Sequence, residues 1–394
     1  MRVLHLGKYY PPYSGGIENF MGDLLPALST RGIGTAALVH AHDRRFQGRA
    51  GVTEVAGVPV WRAPTWGQIL YAPVSPLFPF WLNRALREFK PDILHLHLPN
   101  TSAFWALRES RARRLPWVLH WHADVVASVH DRRLALAYPL YRPLEQRLLR
   151  HAHTIITTSP PYRDSSLPLA PWRDKCRVVP LGLDTSRLAP PDPAVRRAAV
   201  ALWVSGGVRL LAVGRLTYYK GHEILIRALS EVPDAQLILI GEGPHKGRLD
   251  KLIQALGLGD RAHLLGHLPG PVLQGLLASC DCVCLPSIER TEAFGLVLLE
   301  AMHHGKPVIS SDVPGAGMGW VVKNRKTGLL APPGDVAAWV VALRELVSES
   351  QLRQMFGLAG KERLNEQFAI GPIADQLIAL YQEILGSNIP QLPG

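Results

Sequence analysis

Arg209-Leu-Leu-Ala-Val213 runs directly into Gly214-Arg-Leu-Thr-Tyr-Tyr-Lys-Gly221 and from there into the helix-like stretch His222–Glu231. A short apolar run, a loop carrying glycine and cations, and then helical periodicity together make a strand–loop–helix unit. The unit opens a series. Strands are expected at Gln236–Ile240, His263–Leu265, Cys282–Leu285 and Val308–Ser311, and helices at Lys246–Leu256, Pro271–Ser279, Gly295–His303 and Asp335–Ser348. Several of these strands are continuously apolar, the mark of burial on both faces, so the alternation implies a parallel sheet covered by helices.

Upstream the same grammar has already been used once. Strand-like runs at Val3–Gly7, Thr35–Ala41, Val58–Arg62, Asp92–His97, Trp117–His122, Thr154–Ser159 and Arg177–Leu181 alternate with helical patterns at Ile17–Arg31, Leu77–Phe89, Ser102–Arg114 and Ala137–Arg150. The Pro-rich break Ala189-Pro-Pro-Asp-Pro193 separates the two series, and helical periodicity closes the chain at Gln351–Phe368 and Pro372–Leu385. The fold class is therefore α/β, with two Rossmann-like domains built on parallel sheets. Open sheets of this kind bind ligands beyond the carboxyl ends of their strands, so two of them facing each other put their best sites in a central cleft.

Length and composition agree: 394 residues, 47% hydrophobic, suit two domains with separate cores. The charge is lopsided. Residues 1–183 carry 23 Lys and Arg against 12 Asp and Glu, whereas the remainder carries 20 of each. A basic half implies an anionic partner, such as a phospholipid surface or a lipid-linked phosphate. The helix region around Pro76-Leu-Phe-Pro-Phe-Trp81, with Leu82, Leu86 and Phe89, lies near the arginines Arg108, Arg111, Arg113, Arg114, Arg132, Arg133, Arg142, Arg147 and Arg150, and reads as a peripheral membrane surface. No motif supports nucleic-acid binding. Met1–Gly7 is too short an apolar run for a signal peptide, and no stretch of about 18 apolar residues predicts a membrane span. Cys176, Cys280, Cys282 and Cys284 include no Cys-x-x-Cys pair and read as small core residues of a protein from a reducing, cytoplasmic compartment.

Five clusters follow strands. Gly15 and Gly16 in Tyr13-Ser-Gly-Gly-Ile-Glu18 allow close backbone approach at a helix start. In Leu119-His-Trp-His-Ala-Asp124, His122 lies nearest the strand end and the cleft; His120, His95 and His97 read as structural. Arg215 and Lys220 flank a strand-to-helix loop and make a diphosphate clamp, one a planar fork and the other a point charge. Gly241-Glu242-Gly243 forms a glycine-bracketed turn that suits a base or ribose. Glu292 and Glu300 in Glu292-Ala-Phe-Gly-Leu-Val-Leu-Leu-Glu300 share one broad helical face beside free backbone N–H groups.

Taken together, Gly15-Gly16-Ile17-Glu18, His122, Val179-Pro-Leu-Gly-Leu-Asp184, Gly214-Arg215, Lys220-Gly221, Gly241-Glu242-Gly243 and the Glu-x7-Glu of Glu292 and Glu300 resemble glycosyltransferase family 4, the retaining group with the GT-B fold. The resemblance spans nearly the whole chain. It implies an N-terminal acceptor-binding domain at 1–183, joined by a C-terminal helix at 370–394, and a nucleotide-sugar domain at 184–369. It implies that Arg215 and Lys220 hold the donor diphosphate, Glu300 the ribose hydroxyls and Glu292 the transferred sugar, with backbone amides near Phe294, Gly295 and Leu296 reaching sugar and phosphate. Gly16 would approach the diphosphate, and His122 the sugar's primary hydroxyl or the reacting centre. Two departures stand out: Leu181 precedes Gly182 where Asn is common, and Asp312-Val-Pro-Gly-Ala-Gly-Met-Gly319 is unusually rich in glycine.

The expected activity is transfer of a hexose, mannose by preference, from a nucleoside-diphosphate sugar to a glycan or lipid-linked acceptor in cell-surface polysaccharide or glycolipid synthesis. By resemblance to mannosyltransferase-like members a GDP-sugar is favoured over a UDP-sugar. The sequence contains no Asp-x-Asp for a metal, so no metal and no other cofactor is expected. A UDP-sugar enzyme with a small-molecule acceptor and a non-catalytic binding protein are the competing readings.

Overall fold

The computed structural model describes residues 1–42, 50–70, 72–125, 132–188, 192–204 and 206–387. Residues 189–191 of the proline-rich break Ala189–Pro193 and residues 388–394 lie outside them. The chain folds as two compact units: Met1–Asp184 with the described part of Ile370–Gly394, and Thr185–Ala369.

The first unit is built on β1 (Arg2–Leu6), β2 (Gly34–His40), β3 (Gly51–Val55), β4 (Val58–Ala63), β7 (Ile93–Leu98), β8 (Trp117–Trp121), β9 (Thr154–Thr157) and β10 (Cys176–Val178), with β5 (Gln68–Ile69) and β6 (Ala72–Pro73) forming a separate small ribbon. The eight strands lie in the order β10-β9-β8-β7-β1-β2-β4-β3. All neighbours are parallel except β3 and β4, an antiparallel hairpin at one edge. That hairpin adds one antiparallel edge to the expected parallel sheet. Gly51–Val55 is largely exposed and lacks the apolar run that marked the other strands. Ser102–Arg114 is also not one helix. It divides into a 3-10 segment, Thr101–Leu107, and a short turn, Ser110–Arg113, because Asn100 and Glu109 each accept a backbone N–H and start a new turn.

The second unit holds β11 (Val208–Val213), β12 (Ala235–Ile240), β13 (Ala262–Gly266), β14 (Cys282–Leu285), β15 (Val308–Ser311) and β16 (Gly328–Ala331). Their order is β13-β12-β11-β14-β15-β16, parallel throughout. Its core joins Leu210, Leu237, Cys282, Cys284 and Ile309 of the sheet to Leu225, Leu229, Trp339 and Phe356 of the flanking helices.

Both orders contain a switch point. β1 lies between β2 and β7, and β11 between β12 and β14, so consecutive connections leave in opposite directions and a crevice opens at the carboxyl ends.

The helix Ile370–Ser387 belongs to the first unit. Tyr381 Oη is 2.6 Å from His95 Nδ1, Asp375 takes the Arg31 guanidinium at 2.6 Å, and the Ile370 N–H donates to Leu183 at 3.1 Å. No helix among the described residues is long and apolar enough to cross a membrane. The apolar face of Phe78–Phe89 is core: Phe78, Trp81, Leu82, Leu86 and Phe89 are buried, and only Leu77 and Phe80 stand out into solvent. The membrane surface read from that helix is thus corrected. The more prominent apolar exposure is on Arg132–His151, where Leu136 and Leu140 are four residues apart and more than four-fifths exposed, beside exposed Arg133.

Candidate functional site

The switch point of the second sheet gathers the loops after β11, β12 and β14. Their approach is set by glycines. A Cβ on Gly241 would lie 1.9 Å from the Gly214 carbonyl oxygen, and one on Gly221, whose φ is +64°, would lie 1.9 Å from that of Pro286. Any other residue at these positions pushes the loops apart. The glycines of the Gly241–Gly243 turn are therefore explained by loop packing before any ligand is considered, and Glu242 between them is exposed.

Seating Gly221 against Pro286 brings Lys220 to Glu292. Their side chains, 13% and 12% exposed, form an ion pair, with the Ser287 hydroxyl donating to the same carboxylate oxygen at 3.4 Å. Burial alone would pull the Lys220 ammonium down; Glu292 and Tyr219 outweigh it and raise its pKa. Arg215 lies close enough to oppose that charge. It is exposed, and its guanidinium has no hydrogen-bond or ion-pair partner among the described residues. His222, buried beyond Gly221, is held neutral by burial and by Lys220, its pKa pulled down to about 3.

Glu292 leads through buried Ala293 and Phe294 to Gly295, which caps the helix Leu296–His303 at φ +83°. Phe294 is anchored by Trp320 and Phe368. The glycine-rich loop 312–319 packs on the same segment: Gly317 N–H donates to Ala293 at 2.7 Å, and Arg290 Nε to Gly315 at 3.3 Å. Glu300, nearly buried, faces Arg187 at 3.5 Å. Arg187 was missed in the sequence; it sits in a 3-10 turn, Thr185–Leu188, with no motif around it. The structure thus brings Gly214, Arg215, Lys220, Gly241, Glu242, Gly243, Glu292, Phe294, Gly295, Leu296 and Glu300 to one end of one sheet.

Gly15, Gly16 and His122 belong to the first unit. Gly15 precedes the helix Gly16–Ser29, and a Cβ there would meet the Glu18 carboxylate at 2.3 Å. His122, just beyond β8, is buried, and its Nε2 lies 2.9 Å from His97 Nδ1. It ends a row that the sequence reading missed as a group. His5 pairs with His95 across β1 and β7, and His97 with His120 across β7 and β8, so strand alternation puts His5, His95, His97, His120 and His122 on one face. Phe20 covers the His120 and His122 end. Burial, and for most of them a neighbouring imidazole, holds all five well below the usual histidine range. His5, His95, His97 and His97, His120, His122 are the two groups of ligand atoms, among the described residues, close enough to take a metal ion.

A broad concavity at the opposite, amino-terminal end of the second sheet includes Asp234, Arg261 and Arg344. Arg261 donates to the carbonyls of Val232 and Ala235, and Arg344 to that of Glu231, so these cations serve the fold.

Comparison with known proteins addresses the chain as a whole. Residues 15–182 match the family described as glycosyl transferase 4-like domain, and residues 200–363 that described as glycosyl transferases group 1. The O-antigen chain mannosyltransferase C of Escherichia coli is 30% identical over 98% of this chain and 100% of its own. The D-rhamnosyltransferase WbpZ of Pseudomonas aeruginosa is 31% identical over 93% and 92%. Among solved structures, Anabaena HepE in complex with UDP-glucose matches with a TM-score of 0.77 at 22% identity, over 97% of this chain and 100% of its own, which shows the GT-B fold.

Proposed function

The chain belongs to the GT-B glycosyltransferases of family 4, and from that premise we propose that it moves a manno-configured hexose, with retention, from a nucleoside-diphosphate sugar to a glycan or lipid-linked acceptor in cell-surface polysaccharide synthesis. The observation that carries this reading is the Lys220–Glu292 pair beside unpaired Arg215 and the amino end of Leu296–His303. A glycosyl donor departs as a diphosphate, and the growing negative charge is best met by cations and amides already in place. Arg215 and Lys220 supply the cations, and the amides around Gly295 and Leu296 the donors. Glu300, which faces Arg187 at 3.5 Å, would accept hydrogen bonds from the ribose hydroxyls.

A carboxylate tied to an ammonium is a poor nucleophile, so Glu292 orients the sugar. Acceptor attack then proceeds on the face the diphosphate leaves, whose oxygen takes the acceptor's proton. Isolation of a glycosyl–Glu292 adduct would refute this assignment. Because protein cations occupy the diphosphate position, turnover is expected to persist in chelator; loss restored by Mg²⁺ or Mn²⁺ would show that an ion is required.

Mannose and D-rhamnose, the sugars in the two relatives' names, share the manno ring configuration and differ at C6. That supports a manno-configured sugar here, and the resemblance to mannosyltransferase-like members favours GDP as its carrier. HepE's UDP-glucose makes a UDP-sugar the alternative. A thermal-shift panel of UDP-, GDP- and ADP-sugars decides, since a ligand bound only by the folded state raises its stability. A shift with UDP-sugars alone would overturn the GDP assignment. His122 keeps the role implied by resemblance, contact with the transferred sugar. The basic first unit, with Leu136 and Leu140 exposed, is assigned to the inner face of the cell membrane.

A further inference from the structure

The five buried histidines are joined in two different ways. His120 and His122 lie face to face, with centroids 4.2 Å apart and planes within 5°, and His95 and His97 stack similarly at 4.7 Å and 6°. His5, His97 and His122 are instead joined edge to edge. His5 Nδ1 is 3.1 Å from His97 Nε2, and His97 Nδ1 is 2.9 Å from His122 Nε2. The ring centres of His97 and His122 are 5.2 Å apart with planes 14° apart, the separation expected of near-coplanar five-membered rings linked through such a contact.

A neutral imidazole has one N–H and one lone pair. Each contact needs one of each, so the three tautomers are not independent. If His97 carries its proton on Nδ1, it donates to His122 Nε2, and His122 must be protonated on Nδ1. His97 Nε2 then accepts, and His5 must donate from Nδ1. Moving the proton of any one ring reverses all three. The chain has two free ends, His5 Nε2 and His122 Nδ1, both buried without a partner among the described residues. One end must hold an unpaired N–H. His5 lies within β1 in the covered face of the sheet, where an orphaned donor is costly. His122 lies just beyond the carboxyl end of β8, the end at which open sheets of this kind take ligands, and there a bound substrate's oxygen would supply the acceptor.

We propose that His5 and His97 are positioning residues that fix His122 as the Nδ1–H tautomer, so that it acts on the substrate as a hydrogen-bond donor through Nδ1. The catalytic consequence rests on the reading that His122 touches the transferred sugar; the tautomer coupling does not. A metal in the His97, His120, His122 group would need those nitrogens to converge on one point, yet His97 and His122 are aimed at each other.

The test is ¹⁵N NMR of the full-length protein labelled at histidine, reading which ring nitrogen bears the proton, with single substitutions for assignment. His5, His97 and His122 are expected all neutral and all protonated at Nδ1. Mixed tautomers, an imidazolium, the Nε2–H form throughout, or one equivalent of tightly bound metal overturns the proposal. His97→Asn places an amide nitrogen where Nδ1 was and is expected to keep His122 in its tautomer, with kcat within about threefold of the parent. His97→Gln reaches only toward His5 and is expected to lower kcat by more than about tenfold with the donor KM little changed. Equal kcat in the two variants counts against positioning. If His122→Ala retains full turnover while the parent shows three matched Nδ1–H tautomers, the coupling stands and the sugar-contact reading falls. Should neither His97 variant fold, the parent spectrum alone decides.

Discussion

Replacing Lys220 by Met separates a structural ion pair from a working one. Both partners keep only about an eighth of their side-chain surface in water. Removing the cation leaves the Glu292 carboxylate in a largely dry loop, with the Ser287 hydroxyl, 3.4 Å away, as its remaining side-chain donor among the described residues. Breaking a buried pair from one side costs about 3–5 kcal/mol, and the residual exposure here puts the expectation at the lower end, about 3 kcal/mol. For a folding unit of this size that lowers Tm by roughly 6–12 °C. Adding Glu292→Gln removes the stranded charge, so the double variant should regain about 2 kcal/mol of the loss. Turnover should behave differently. Lys220→Met is expected to lower kcat/KM by about 10²–10³, and the double variant to recover none of it, because the diphosphate has lost a cation in both. Denaturant melts and initial rates on the four proteins of the cycle complete the assay. Recovery of activity in parallel with stability would refute the reasoning, since the pair would then matter only as a brace for the loop.

Arg215→Ala should cut kcat/KM by about 10²–10³ while leaving the melting curve within error, because the guanidinium is exposed; Arg215→Lys should restore part of the rate, and unchanged rates in both remove Arg215 from the clamp. Gly221→Ala should cost at least about 1–3 kcal/mol from the left-handed φ alone, and it should lower activity by moving Lys220; a fully active, fully stable variant would contradict the packing against Pro286. Glu145 is buried, accepts a hydrogen bond from Tyr138 at 2.7 Å, and has its pKa pushed up to about 7, chiefly by burial. Between its ordinary value and pH 7 the folded state binds the extra proton, so stability falls as pH rises through that window. Glu145→Gln should therefore flatten the profile, gaining up to about 3 kcal/mol relative to the parent at pH 8 and little at pH 4, and a parallel profile would disprove the shift. Leu136→Asp with Leu140→Asp should abolish flotation with anionic liposomes at low salt; undiminished flotation would clear that helix of the role.

The parts of the fold that were legible in the sequence are those whose strands are buried on both faces. Leu210, Leu211 and Ala212 of β11 cannot be anything but interior, and the glycine that follows marks the turn. β3 escaped notice because an edge strand needs no apolar run, and Arg187 because an arginine in a 3-10 turn has no spacing to betray it. The candidate site was legible as a set of residue types after strands, but its internal pairing was not. Nothing in the spacing of Lys220 and Glu292 says that they meet. Their contact depends on Gly221 reaching Pro286 across two strands that are neighbours only through the switch in sheet order.

The same dependence on sheet order explains why the histidines misled. Taken singly, His95, His97 and His120 looked like core residues, and all five histidines of the row are buried. Their chemistry appears only when β1, β7 and β8 are set side by side, because sequence neighbours such as His95 and His97 stack, whereas the hydrogen-bonded partners are 92 and 25 residues apart. A parallel sheet converts residues distant in sequence into a continuous row without any local signal, provided each strand contributes to the same face. Both clusters in this chain, the paired charges of the second unit and the imidazole row of the first, lie on strands at or adjoining the switch in their sheet. At that point neighbouring strands come from connections running in opposite directions, so polar groups from different segments can converge beyond the strand ends instead of being covered by a crossover helix. A polar row that reaches such an end can present a hydrogen-bonding group to a ligand, whereas the same row in a flanking strand would only add to the cost of burying polar atoms.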